Sequence, residues 1–190
     1  MIRECIVTSR REDGGTHIAP MGVHVVDQNL VIAPFKPSTT LENLRRHGCA
    51  VINYVDDVRI FAGCLTGRRT WSVCEAERID AMRLRDCLAH TEVEVDRVEE
   101  DELRPRFYCH AVYAANHASF QGFSRAQAAV IEAAILVSRL HRLPADKVDR
   151  EIGYLSVAIQ KTAGPQEHQA WGWLMAEIAQ FRASKKEQSA

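Results

Sequence analysis

The sequence predicts an α+β protein whose strands precede its helices. Short runs rich in β-branched residues, separated by turn residues, fill the chain up to about residue 120, and three amphipathic helical patterns follow from residue 123. The two kinds of element do not alternate, which argues against a doubly wound parallel sheet.

Ile2 to Thr8 supplies the first strand. Residues 16–26 (THIAPMGVHVV) and 29–34 (NLVIAP) flank Asp27-Gln28, a pair suited to a tight reversal, and so predict a hairpin. A short helix follows: Thr39-x-x-Glu42 reads as a capping box, Leu41 and Leu44 face inward, and Gly48 stands just past the last turn as a C-terminal cap. Residues 49–55 (CAVINYV) and 58–65 (VRIFAGCL) around Asp56-Asp57 suggest a second hairpin. Ser72-x-x-Glu75 then introduces a predicted helix over 75–89, and 92–98 and 106–116 read as later strands.

From Ser124-x-x-Gln127 a helix runs to about His141, with Ala128, Ile131, Ile135 and Leu136 as its apolar face. Val148, Ile152, Leu155 and Ile159 mark a second helix ended by Gly164-Pro165. Trp171, Leu174, Ile178 and Phe181 mark a third. The expected organisation is a β-rich domain over 1–120, a three-helix domain over 121–183 and a frayed polar tail over 184–190.

Composition narrows the function classes. At 190 residues the chain can bury a full core, and a formal charge of −1 leaves no global footprint for nucleic acid, so any anion site must be local. No apolar run approaches the ~20 residues of a membrane span, and Met1 to Arg11 lacks a secretory h-region, so the expectation is a cytoplasmic protein with no membrane partner. The six cysteines contain no C-x-x-C pair and read as thiols packed like small hydrophobes. The eight histidines show no H-E-x-x-H pair and read as structural or surface residues, so no metal is expected. Asp56-Asp57 reads as turn chemistry, Arg68-Arg69 with Trp71 as a solvated loop, and Trp171 and Trp173 as packing residues. A G-x-G-x-x-G fingerprint and a G-x-x-x-x-G-K-[ST] loop are both absent, so neither a Rossmann nor a P-loop nucleotide site is expected.

One segment concentrates chemistry. Lys36-Pro37-Ser38-Thr39-Thr40, with Asn43 one turn on, sets a cation, three hydroxyls and an amide around a helix N-terminus, where unpaired N–H groups and the helix dipole favour a phosphate. The same residues also serve a plain helix cap with a solvated lysine. Ala19-Pro20-Met21-Gly22 places a proline and a glycine inside a strand, which predicts an edge or bulge that something flat can approach, or a simple edge irregularity.

Thr16-His17-Ile18-Ala19-Pro20-Met21-Gly22, Pro34-Phe35 with Ser38, Thr40-Leu41-Glu42-Asn43-Leu44, and Val51-Ile52-Asn53 with Asp56-Asp57 resemble a family of FMN-binding split-barrel proteins from archaea and some bacteria, related to flavin reductase-like proteins. Phe123-Ser124-Arg125-Ala126 and Glu132-Ala133-Ala134-Ile135 extend the likeness into the helical end. The resemblance implies an FMN-binding split β-barrel followed by a small helical domain, a homodimer with the flavin near the interface, and FMN as cofactor. It implies that Ser38, Thr39, Thr40 and Asn43 contact the phosphate, with Lys36 carried over on charge, and that Ala19, Met21 and Gly22 lie along the ring. His17 departs from the asparagine often found at its position. The implied function is an oxidoreductase or flavin reductase-like flavoprotein, with NAD(P)H or a pterin-like molecule as small-molecule partner. The alternative is a non-catalytic flavin- or ligand-binding module acting as sensor, carrier or assembly partner.

Overall fold

The computed structural model describes residues 1–27 and 29–188. Gln28, half of the predicted reversal, lies outside them. Asp27 adopts φ 53°, a left-handed conformation that aspartate tolerates better than most residues.

The chain forms two compact units, Met1–Asp56 with Thr70–Phe120, and Asp57–Arg69 with Gln121–Ala190. The first holds β1 (Ile2–Arg10), β2 (Thr16–Val26), β3 (Asn29–Ile32), α1 (Thr39–His47) and β4 (Cys49–Tyr54). The second opens with α2 (Arg59–Leu65). The chain returns to the first unit for β5 (Val73–Glu75), β6 (Met82–Leu84), β7 (Ala89–Glu99) and β8 (Arg106–Asn116). It ends in the second with α3 (Arg125–Val137), α4 (Ala145–Thr162) and α5 (Pro165–Gln188).

Six strands close a barrel in the order β1-β2-β3-β8-β7-β4, and β5 and β6 form a separate hairpin. Alternation along the strands sends Cys5 and Val7, Ala50 and Ile52, and Phe107 and Cys109 into one core with Val23, Ile32 and Val93. Leu41 and Leu44 of α1 join that core, with Met21 of β2 packed against it. Burial pushes the Cys5 and Cys109 thiols up to about 12, so both behave as small hydrophobes.

Two predicted elements are replaced. Residues 58–65 are not a strand: Asp57 Oδ1 accepts the Arg59 N–H at 3.0 Å and its carboxylate clamps the Arg59 guanidinium, which starts a helix. Val58 and Ala62 then bury in the core of the helical unit. A short apolar run does not distinguish strand from helix by periodicity alone. Residues 75–89 are not a helix either. The backbone N–H groups of Glu77, Arg78 and Ile79 donate to the buried Glu92 carboxylate at 2.6, 2.8 and 3.2 Å. Leu84 N–H donates to Asn53 Oδ1 at 2.7 Å, and Thr8 Oγ1 donates to the Met82 carbonyl at 2.6 Å. Polar side chains of the barrel thus take the hydrogen bonds a helix would have used.

Smaller differences follow the same line. Ser38, not Thr39, is the N-cap of α1, its hydroxyl accepting from Leu41 N–H, while Gly48 closes the helix at φ 65° as expected. The buried face of α3 runs through Ala126, Ala129, Val130, Ala133 and Val137, next to the predicted face. Of the predicted face, Leu136 is buried, Ile131 and Ile135 are half-buried, and Ala128 is exposed. Alanines at successive turns permit close approach of α4 and α5, so shape rather than hydrophobicity selects the face. The last helix continues to Gln188, past residue 184 where a frayed tail is expected.

Candidate functional site

The loop from Ala33 to Ser38 is held by the turn between β7 and β8. Lys36 N–H donates to the Leu103 carbonyl at 2.8 Å, and the Arg104 guanidinium donates to the Ala33 carbonyl at 2.9 and 3.1 Å while lying 4.4 Å over the Phe35 ring. That turn is itself ordered by Asp101, whose carboxylate accepts the Arg104 and Leu103 N–H groups at 2.7 and 2.8 Å. These bonds hold the Asp101 carboxyl below the usual aspartate range.

At the end of this braced loop, Ser38 caps α1, Thr39 is exposed, and Thr40 and Asn43 are buried. Asn43 Nδ2 donates to Ser9 Oγ at 2.9 Å, a bond that links α1 to the end of β1 and orients the amide. Ser9, 1 % exposed, was invisible to sequence reasoning because it reads as one more strand residue. The N–H groups of Thr39 and Thr40 precede the first intrahelical bond, so with the hydroxyls they form a concentrated donor set at the positive end of α1.

Lys36 stands apart from this set. Its ammonium donates to the Asp101 carbonyl at 2.7 Å and to Glu100 at 3.3 Å, and Glu100 also binds Arg45 at 2.7 Å. The lysine is spent on bracing the loop.

Ala19, Met21 and Gly22 lie half-buried on β2. Their pairing to β1 is regular, Ala19 with Val7, Met21 with Cys5 and Gly22 with Glu4, so no bulge interrupts it. β2 pairs with β3 only from His24 to Val26, which leaves Thr16–Val23 an edge among the described residues and makes Pro20 tolerable there. A Cβ at Gly22 would stand 2.8 Å from Ile2 Cγ2, so cross-strand packing accounts for that glycine.

Other sequence candidates resolve into structure. Asp57 is engaged by Arg59. Arg68 lies 4.5 Å over the Trp173 ring, and Trp171 and Trp173 both pack against the helical core.

Comparisons with known proteins agree with this architecture. The model of a family described as protein of unknown function (DUF447), N-terminal domain, matches residues 3–118, and that of the family's second part matches 124–176. Among solved structures, an FMN-bound protein of the same family from Methanosarcina mazei is similar at TM-score 0.80 and 18% identity, over 93% of this chain and 94% of that one. A 2-nitrobenzoate 2-nitroreductase from Pseudomonas fluorescens is similar at TM-score 0.52 and 20% identity, over 60% of this chain and 64% of its own. A flavoredoxin from Methanosarcina acetivorans is similar at TM-score 0.51 and 16% identity, over 61% and 69%. No functionally curated protein matches. Among the described residues no helix is long and apolar enough to cross a membrane. With family models matching both its barrel and its helical part, the chain belongs to the DUF447 family.

Proposed function

We propose that this protein is an FMN-binding flavoprotein of the flavin reductase-like kind, acting as an oxidoreductase in the cytoplasm. The observation that carries the reading is the donor set at the start of α1 on a six-stranded barrel, in a fold shared with an FMN-bound member of the same family. The residues fit a phosphate: Ser38 and Thr39 carry accessible hydroxyls, Thr40 and Asn43 are oriented by burial, and the backbone N–H groups add the helix dipole. Asn43, fixed by Ser9, gives the phosphate end one donor whose direction is set before binding. Lys36 contributes at most a screened field, because Glu100 neutralises it.

Ala19, Met21 and Gly22, on the open edge of β2, are assigned to the ring, where a flat ligand meets the side of the strand that β3 leaves unpaired. Bound flavin supplies hydride or electron transfer, and the protein orients it and excludes side reactions. A homodimer completes the ring site in this reading, with NAD(P)H or a pterin-like molecule as the exchanging partner.

The test is an FMN titration followed by flavin fluorescence. Ser38→Ala and Thr40→Ala are each expected to weaken binding by roughly 10- to 100-fold, since a hydrogen bond to a charged group contributes about 1.5–3 kcal/mol. Wild-type protein that is colourless and fails to bind added FMN would overturn the reading. Bound FMN that neither NADH nor NADPH reduces would convert it to the non-catalytic module.

A further inference from the structure

We propose that Cys87, His90 and His117 form a binding site for a zinc-class divalent cation, open to solvent on one side. One ligand atom from each of the three residues lies within 4.8 Å of the others. The pairing of β7 with β8 assembles them: Ala89 is opposite Asn116, the His117 N–H donates to the Leu88 carbonyl at 2.8 Å, and the Leu88 N–H donates to the Tyr54 carbonyl at 2.9 Å. Residues 88–90 and 117 are therefore held by backbone bonds that exist without any ion.

The chemistry of His90 is specified from behind. Glu92 is fully buried and accepts three backbone N–H groups, which favour its ionised form. It lies 3.1 Å from His90 Nε2, so that nitrogen carries the proton and donates. The Nδ1 lone pair of His90 is then directed at His117 Nε2, 2.8 Å away, with the two ring planes 9° apart. A carboxylate that fixes the tautomer of a buried histidine is the arrangement that supports metal-ligating imidazoles.

Thiolate and imidazole together select zinc-like ions over magnesium or calcium. Three protein ligands leave a fourth position for solvent or a small ligand, as in catalytic rather than structural zinc sites. Cys87 and His90 are buried, whereas His117 is exposed and lines a hollow with Tyr54, Leu88, Asn116 and Arg3, so the open position lies on that side.

The Cys87 thiol, pushed up by burial, loses its proton to solvent as the metal–sulfur bond forms. The proton on His117 Nε2 relocates to Nδ1 through water. The Arg83 guanidinium beside Cys87 favours the thiolate, and the thiolate charge offsets part of that of the dication. Tetrahedral bonds of ~2.0–2.1 Å put two nitrogens about 3.3 Å apart, so the exposed His117 ring withdraws by roughly half an ångström and turns until its lone pair converges with that of His90 off the line between them.

The experiment titrates chelator-treated, reduced full-length protein with Co(II), followed by absorbance. We expect about one equivalent to bind with a thiolate-to-Co(II) charge-transfer band, competed away by Zn(II). Cys87→Ser should abolish the band, and His117→Ala should weaken binding at least about 10-fold. Glu92→Gln should weaken it about 10- to 100-fold. His168→Ala, in the helical unit, should change nothing. Should Cys87→Ser fail to fold, His117→Ala still decides, since that side chain is exposed. Absence of Co(II) binding, a band that persists in Cys87→Ser, or affinity unchanged in His117→Ala would overturn the proposal and leave the two histidines a structural hydrogen-bonded pair.

Discussion

Asn53 shows how much one buried polar side chain can decide. Its Nδ2 donates to the Ile6 carbonyl at 3.0 Å and Thr8 Oγ1 at 3.1 Å, and its Oδ1 accepts the Leu84 N–H at 2.7 Å. It is fully buried, so no water replaces these partners. Asn53→Ala should therefore cost about 2–4 kcal/mol, most of it from the stranded Leu84 N–H and Ile6 carbonyl, as read from urea unfolding. A cost under ~1 kcal/mol would mean that the β6 segment finds other partners. Glu92 and Thr8 play the same part for residues 77–79 and 82. In the sequence all three look like ordinary strand residues, because a side chain's distant partners leave no local pattern.

Among the elements, α1 was the most legible. Its start, inward leucines and Gly48 cap follow from local chemistry that needs no other part of the chain. Where its approach loop sits is a different matter, since the turn at residues 100–104 braces it across 65 to 71 positions. The bonds from Arg104 and Leu103 N–H depress the folded pKa of Asp101. Their ordering is thus fully present above the ordinary aspartate range, ~3.9, and is lost as pH falls through the lower folded value. NMR amide shifts of Leu103 and Arg104 should titrate together with a midpoint below that range, and Asp101→Asn should remove the transition. Amides that titrate at the ordinary value would show that the turn is open in solution. The short α2 was not legible: its apolar residues fit either period, and only Asp57 binding Arg59 and the neighbouring helices decide between them.

At the scale of the molecule, the division near residue 120 hides an exchange. Asp57–Arg69 belongs with the helices, not with the barrel strands on either side of it. Val58 and Ala62 share a core with residues of α3, α4 and α5. A chain ending at Phe120 retains every barrel strand but exposes that face, so it should keep β-type circular dichroism while binding an apolar dye and self-associating. A monodisperse fragment that ignores the dye would show that α2 is sheltered without α3, α4 and α5.

The sequence by itself determined the α+β class, the six barrel strands, α1 with its cap and the helices from residue 124, because periodicity and capping are properties of neighbours along the chain. Tertiary structure decided the rest. It placed residues 76–84 on barrel side chains, gave α2 to the helical unit, tied Lys36 to Glu100, and brought His117 to Cys87 and His90. The spacing Cys87-x-x-His90 was there to be read, but its third member is 27 positions further on and arrives only when β7 and β8 pair. Contacts of that kind depend on which strands meet, and strand pairing is settled by the barrel as a whole rather than by any segment of it.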